Sequence, residues 1–89
     1  MINSRRSKIE IIGEILELSH DGAGVTEILY RGNLSYSQLQ SYLSFLVEKK
    51  ILVENMVDNG NGGTRRFYTI TRVGLELLGD IHRVLAHLS

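Results

Sequence analysis

The sequence has no cysteine, which excludes disulfides and thiolate metal sites and leaves the redox compartment unmarked. It has no apolar run approaching the ~20 residues that a membrane-spanning helix needs, so no membrane partner is expected. Its start, MINSRRSKIEII, carries charge but no long apolar region and no small-residue cleavage site. That pattern is not a signal peptide, and a cytoplasmic location is the expectation. Charge of one sign is not in excess either: ten basic and ten acidic side chains give a formal net charge of zero. Only His20, His82 and His87 offer side-chain nitrogen suited to a metal. The last two are five apart, roughly 140° around a helix, so no metal site is expected. No Gly-x-Ser-x-Gly and no phosphate-loop motif occurs, and the serines on the polar face of residues 35–44 have no histidine beside them. These absences point away from an enzyme, a cofactor or a small-molecule substrate.

What is present fits one domain over residues 1–89, with 43% hydrophobic residues. A chain this short buries roughly 60–65% of its unfolded surface, so association with a second copy is a natural supplement to its core. The charges are also segregated. Residues 1–9 hold Arg5, Arg6 and Lys8 without an acid, and residues 10–30 hold Glu10, Glu14, Glu17, Asp21 and Glu27 without a base. Arg65, Arg66 and Arg72 form a second basic group.

Hydrophobic spacing predicts four helices and a hairpin. Residues 5–19 read as a helix capped by Ser4, with Ile9, Ile12 and Leu16 recurring at 3–4 spacing and Ile11, Ile15 and Leu18 widening the stripe. His20 to Gly24 supplies stop signals. Residues 25–31 form a short second helix with Val25, Ile28 and Leu29 inward, and Gly32-Asn33 suits a tight turn because both residues tolerate positive φ. Ser35 then caps a third helix, 36–50, whose inner face is Leu39, Tyr42, Leu43 and Leu46. Residues 52–57 and 65–70 are rich in β-branched and aromatic types and flank DNGNGGT, the pattern of a β-hairpin with a projecting tip. Thr71 caps a last helix, 72–88, whose apolar positions wrap beyond one narrow stripe and so call for two packing partners. The resulting order, α-α-α-β-wing-β-α, is a mainly α fold with a small hairpin: a winged helix-turn-helix.

The segments RRSKIEIIGEILEL, TEILYRGNLSYSQLQSYLSFLVEKKIL and FYTITRVGLELL resemble the small archaeal winged-helix transcriptional regulators. That family includes short chromatin-associated DNA-binding proteins that dimerise through their C-terminal helix. The likeness runs from about Arg5 to Leu78 and is most specific in NLSYSQLQSYLSFL. Two features depart from it. The last helix is short, and the tip DNGNGG is long.

The order of elements and the resemblance imply double-stranded DNA as the partner and a nucleoid-associated protein. In winged helices the third helix usually enters the major groove, which nominates Ser35, Tyr36, Ser37, Gln38, Gln40, Ser41 and Ser44 as groove-facing residues. Glutamine can pair with adenine and serine with several bases or with phosphate. No Lys or Arg lies in residues 35–48, so modest specificity is expected of this helix. Arg65 and Arg66 stand where the wing returns; on alternating strand positions they must point to opposite faces, so only one is expected to reach DNA fully. Asn59, Asn61 and the tip glycine amides are candidates for phosphate. Arg5, Arg6 and Lys8 sit unfavourably at the positive end of a helix dipole, which suggests a phosphate partner. Five such contacts give a salt slope of about −4.5 per protomer. Leu75, Leu78, Ile81, His82, Leu85 and Leu88 are the expected homodimer face. The alternative function is a winged helix that binds another protein without touching DNA, which the zero net charge favours.

Overall fold

The computed structural model describes residues 7–88. Helix α1 (Lys8–Leu18) is followed by a two-residue strand β1 (Ala23–Gly24), α2 (Val25–Gly32), α3 (Tyr36–Glu48), the hairpin strands β2 (Leu52–Asp58) and β3 (Thr64–Ile70), and α4 (Arg72–Leu88). The four helices and the hairpin expected from the sequence are all present. β1 is an addition. It pairs antiparallel with β3 at Ala23↔Tyr68 and Gly24↔Phe67, giving a sheet of order β1-β3-β2.

The cap of α1 is Ser7, not Ser4. Ser7 Oγ accepts from the Glu10 amide at 3.1 Å, while the Glu10 carboxylate accepts from the Ser7 amide at 2.9 Å. Only the first of these is open to a lone serine; a capping box needs the acid three residues on, and Glu10 provides it. The same device starts α3, where Ser35 and Gln38 exchange amide bonds. α3 ends two residues earlier than expected. Lys50 turns left-handed (φ 61), with its amide on the Val47 carbonyl and the Ile51 amide on the Leu46 carbonyl. That is a Schellman ending with lysine where glycine is the usual occupant. The Gly32-Asn33 turn is carried by Asn33 alone (φ 54), since Gly32 stays inside α2.

The core lies between the helices and one face of the sheet, built from Ile11, Ile15, Leu16, Ile28, Leu39, Leu43, Leu46, Leu52, Tyr68, Leu78 and Ile81. On α1 the deepest residues are Ile11, Ile15 and Leu16, whereas Ile9 is exposed. α4 approaches α1 closely because Gly13 has no side chain: a β-carbon there would meet Ile81 Cγ2 at 3.0 Å. At the start of α4, Thr71 accepts from the Gly74 amide at 3.0 Å, as the sequence led us to expect. Thr71 Oγ1 also reaches the carbonyls of Lys50 and Ile51, tying α4 to the start of β2.

This docking divides the expected dimer face. Leu78 and Ile81 are only 6% and 7% exposed and complete the protomer's own core, with Leu85 packed beside them. His82 pairs with Glu17 of α1 at 2.6 Å. Leu75 and Leu88 remain exposed. The reason is that Gly13 draws the Leu78–Ile81–Leu85 stripe inward. Apolar side chains are left over on its other flank, where Val73, Val84 and Leu88 are exposed and Leu77 is half-buried. At 100° per residue these four fall within an arc of roughly 60° on one side of Ile81. Leu75 and His82 fall on the opposite side.

Candidate nucleic-acid interface

α3 turns Leu39, Leu43 and Leu46 into the core, so its opposite face is made of Ser37, Ser41, Ser44 and Glu48. Ser37 and Ser41, one turn apart, line a groove of about 520 Å³ together with Gln38, Tyr42, Phe45 and, from α1, Lys8 and Ile12. Lys8 therefore stands beside the outer face of α3, as far as the basic N-terminal group is described. Arg5 and Arg6 lie outside the described residues.

On the other side of α3, a second groove of about 490 Å³ runs between the start of α2, Tyr36 and the wing, and Arg65 and Arg66 both border it. Gly24 caps α2 without a side-chain hydrogen bond, and the first turn of α2, from Val25 to Glu27, lines this groove. Glu27 lies there too, but its carboxylate is held by Arg31 at 3.2 Å.

The two wing arginines have different surroundings, as strand alternation requires. Arg65 is exposed, and its side chain has no partner among the described residues. Arg66 turns inward to α3: Nη1 donates to Gln40 Oε1 at 2.9 Å and Nη2 to the Tyr36 hydroxyl at 3.2 Å. Glu54 on β2 stands 3.9 Å from the same guanidinium and accepts from the Tyr68 hydroxyl at 2.5 Å. Burial first, then the hydrogen bond and charge of Glu54, push the Tyr68 phenol well above the usual tyrosine range.

This network changes the parts played by the glutamines. Gln40 was expected to face a base, but its Oε1 is taken by Arg66 and its Nε2 is buried without a partner among the described residues. Gln38 Oε1 is taken by the backbone amide and hydroxyl of Ser35. What α3 presents freely is a stripe of small hydroxyls, Ser37, Ser41 and Ser44. Asn61 is exposed at the wing tip. Sequence reading missed Glu54 and Tyr68. The signal for them was the hairpin register, which sets Glu54 opposite Tyr68, with Arg66 two residues along on the same face.

Residues 5–88 match the family model described as winged helix-turn-helix. The chain belongs to the winged helix-turn-helix family. Among solved structures, this winged helix is similar to Sso10a-2, a DNA-binding protein from Sulfolobus solfataricus, at 27% identity and a TM-score of 0.79, over 91% of this chain and 80% of that one. It shares its fold with Bacillus subtilis PadR, solved in complex with operator DNA, at 19% identity and a TM-score of 0.71. That match covers 79% of this chain and 45% of PadR. A transcriptional regulator homologue from Pyrococcus horikoshii OT3 matches with 19% identity and a TM-score of 0.71, over 88% of this winged helix and 77% of that chain. No curated protein matches it.

Among the described residues, no helix is long and apolar enough to cross a membrane, and no group of three or more metal-ligating side chains is placed to hold an ion.

Proposed function

We propose that this chain is a double-stranded DNA-binding protein acting as a transcriptional regulator, with α3 in the major groove and the 58–66 wing on the backbone or in the adjacent minor groove. One observation carries the reading: Lys8 and the Ser37–Ser41 face of α3 border one groove, while Tyr36 of α3 and Arg65 of the wing border a second on the other side of the helix. A protein-interaction module has no need to bring the basic groups to the recognition helix. Winged-helix membership and the likeness to Sso10a-2 support the same reading. Ser37, Ser41 and Ser44 are the α3 residues proposed to meet bases and phosphates, Lys8 and Arg65 (with Arg5 and Arg6) to meet phosphates, and Arg66 to hold the wing in place. The protein works by binding, not catalysis, and would sit with the nucleoid in the cytoplasm.

The test is Ser41→Glu. A carboxylate set against phosphates is expected to weaken duplex binding by more than about tenfold, a loss of ~1.4 kcal/mol or more, with the fold intact by circular dichroism. Unchanged binding by a folded variant would remove α3 from the interface.

The homodimer belongs to the same reading. Its seam is proposed on the Val73, Leu77, Val84 and Leu88 flank of α4, since Val73, Val84 and Leu88 are exposed in the protomer and Leu77, which packs against the core, stays half-exposed beside them. Leu75 stays outside this seam.

A further inference from the structure

The wing tip contains two Asn-Gly steps, Asn59-Gly60 and Asn61-Gly62. Such steps are the chemically weakest points of a protein backbone toward asparagine deamidation, because glycine has no β-carbon to shield its amide nitrogen from the preceding carboxamide. The two steps have the same chemistry and different surroundings. Asn59 Oδ1 accepts from the amides of Asn61 at 2.9 Å and Gly63 at 3.3 Å. The Asn59 side chain also lies against Gly63, where a β-carbon would meet it at 3.1 Å. The nucleophile this step would need, the Gly60 amide, donates to the Asp58 carboxylate at 2.9 Å, and a negative acceptor opposes loss of that proton. Neither constraint applies one step later. The Asn61 carboxamide and the Gly62 amide have no partner among the described residues, and both residues are exposed.

We propose that Asn61 is a site of spontaneous deamidation, selected over Asn59 by the hydrogen bonds of the wing tip, and that its conversion lowers the affinity for DNA. The Gly62 nitrogen gives its proton to water and attacks Asn61 Cγ. The new N–Cγ bond forms as the Cγ–Nδ2 bond breaks, and the side-chain nitrogen leaves as ammonia. Water then opens the cyclic imide at either carbonyl, giving aspartate or isoaspartate. No oxidant or reductant takes part. Each event adds one negative charge to the tip beside Asp58, facing the phosphates that the wing approaches. The consequence for affinity rests on the DNA-binding reading above; the choice of Asn61 over Asn59 does not.

The experiment incubates the full chain at mildly alkaline pH and follows each asparagine by peptide mass mapping. In parallel, binding of a mixed-sequence duplex is measured for wild type, Asn61→Asp and Asn61→Gln. The Asn61 peptide is expected to gain the deamidation mass while Asn59 stays intact. Asn61→Asp is expected to bind about fivefold more weakly per wing at low salt, the size of a close unit-charge repulsion in water, with the difference closing as salt rises. Asn61→Gln is expected to lose the affinity drift seen as wild type ages. Conversion of Asn59 at the same rate as Asn61 overturns the site assignment. Wild-type binding that Asn61→Asp leaves unchanged overturns the functional consequence. Failure of wild type itself to bind rejects the DNA-binding reading and this consequence together, and the mass result still decides the site.

Discussion

Arg66 on β3 holds Gln40 on α3 through a 2.9 Å hydrogen bond between residues that are 26 positions apart in the chain. The same guanidinium reaches the Tyr36 hydroxyl, so one side chain fixes the wing against the start and the middle of α3. A phosphate-binding arginine needs its donors free, and Arg66 has two of them engaged within the protomer. Arg65, one residue earlier and on the other face, is free to meet a partner. Strand alternation separates these neighbours, and the packing of the hairpin against α3 decides that Arg66 is the one turned inward.

Arg66→Ala is therefore expected to lower the unfolding free energy by about 1–2 kcal/mol, the loss of two partly exposed charge-assisted hydrogen bonds. Arg65→Ala is expected to stay within about 0.5 kcal/mol of wild type. Urea titration separates the two by their midpoints at unchanged slope. Equal destabilisation by both substitutions would contradict the assignment.

Two glycines of α4 give opposite expectations. A β-carbon at Gly74 would meet the Ile51 carbonyl oxygen at 2.4 Å and Ile70 Cγ1 at 2.6 Å. Gly74→Ala is thus expected to cost about 1–3 kcal/mol through overpacking against backbone that cannot yield. At Gly79 the nearest atom is Arg83 Nη1 at 3.8 Å, so Gly79→Ala is expected to stabilise the helix by about 0.5–1 kcal/mol. Thermal melts of the pair give the two signs directly.

Tyr68 sets an alkaline limit. Its folded-state pKa is raised above the unfolded value by burial and then by Glu54, so the neutral phenol is the form the fold favours. Between the two pKa values the unfolded chain has released a proton that the native chain keeps. The stabilisation is complete below about pH 10, the ordinary tyrosine pKa, and is lost progressively above it. Wild type is expected to lose stability more steeply above that pH than Tyr68→Phe, in which the alkaline limb flattens. Parallel limbs would show that Tyr68 ionises normally in the fold.

The division of α4 predicts how association responds to charge. Wild type is expected to sediment as a dimer and Val84→Glu as a folded monomer, because Val84 is exposed in the protomer and lies on the proposed seam. Leu78→Ala acts on the protomer's core instead and is expected to cost about 2–5 kcal/mol of fold stability. A wild-type chain that sediments as a monomer at tens of micromolar removes the dimer.

Most of the architecture was legible because it rests on local chemistry. The Ser35 cap, the Asn33 turn, the hairpin around DNGNGGT and the Thr71 cap are each written within a few neighbouring residues. The box of Ser7 and Glu10 was equally local, and its serine-x-x-glutamate spacing distinguishes Ser7 from Ser4. β1 left no such trace. Two residues paired through backbone alone carry no side-chain period, and Ala23-Gly24 has no β-propensity to announce it. The site divides the same way. Alternation foretold that Arg65 and Arg66 part company, but not which one turns to Gln40. That depends on the packing of the hairpin against α3, a tertiary fact. The apolar excess of α4 was readable; Gly13, on another helix, decides which flank is left outside.

The central claim is tested most directly by fluorescence anisotropy of a mixed-sequence duplex across a salt series, with wild type and Arg65→Ala compared. With Arg66 engaged inside the protomer, the basic side chains proposed to meet phosphates are Arg5, Arg6, Lys8 and Arg65. The expected slope of log affinity against log salt is then about −3.6 per protomer, falling by about 0.9 in Arg65→Ala. A duplex that is not bound even at low salt, or a slope indifferent to Arg65, would contradict the account.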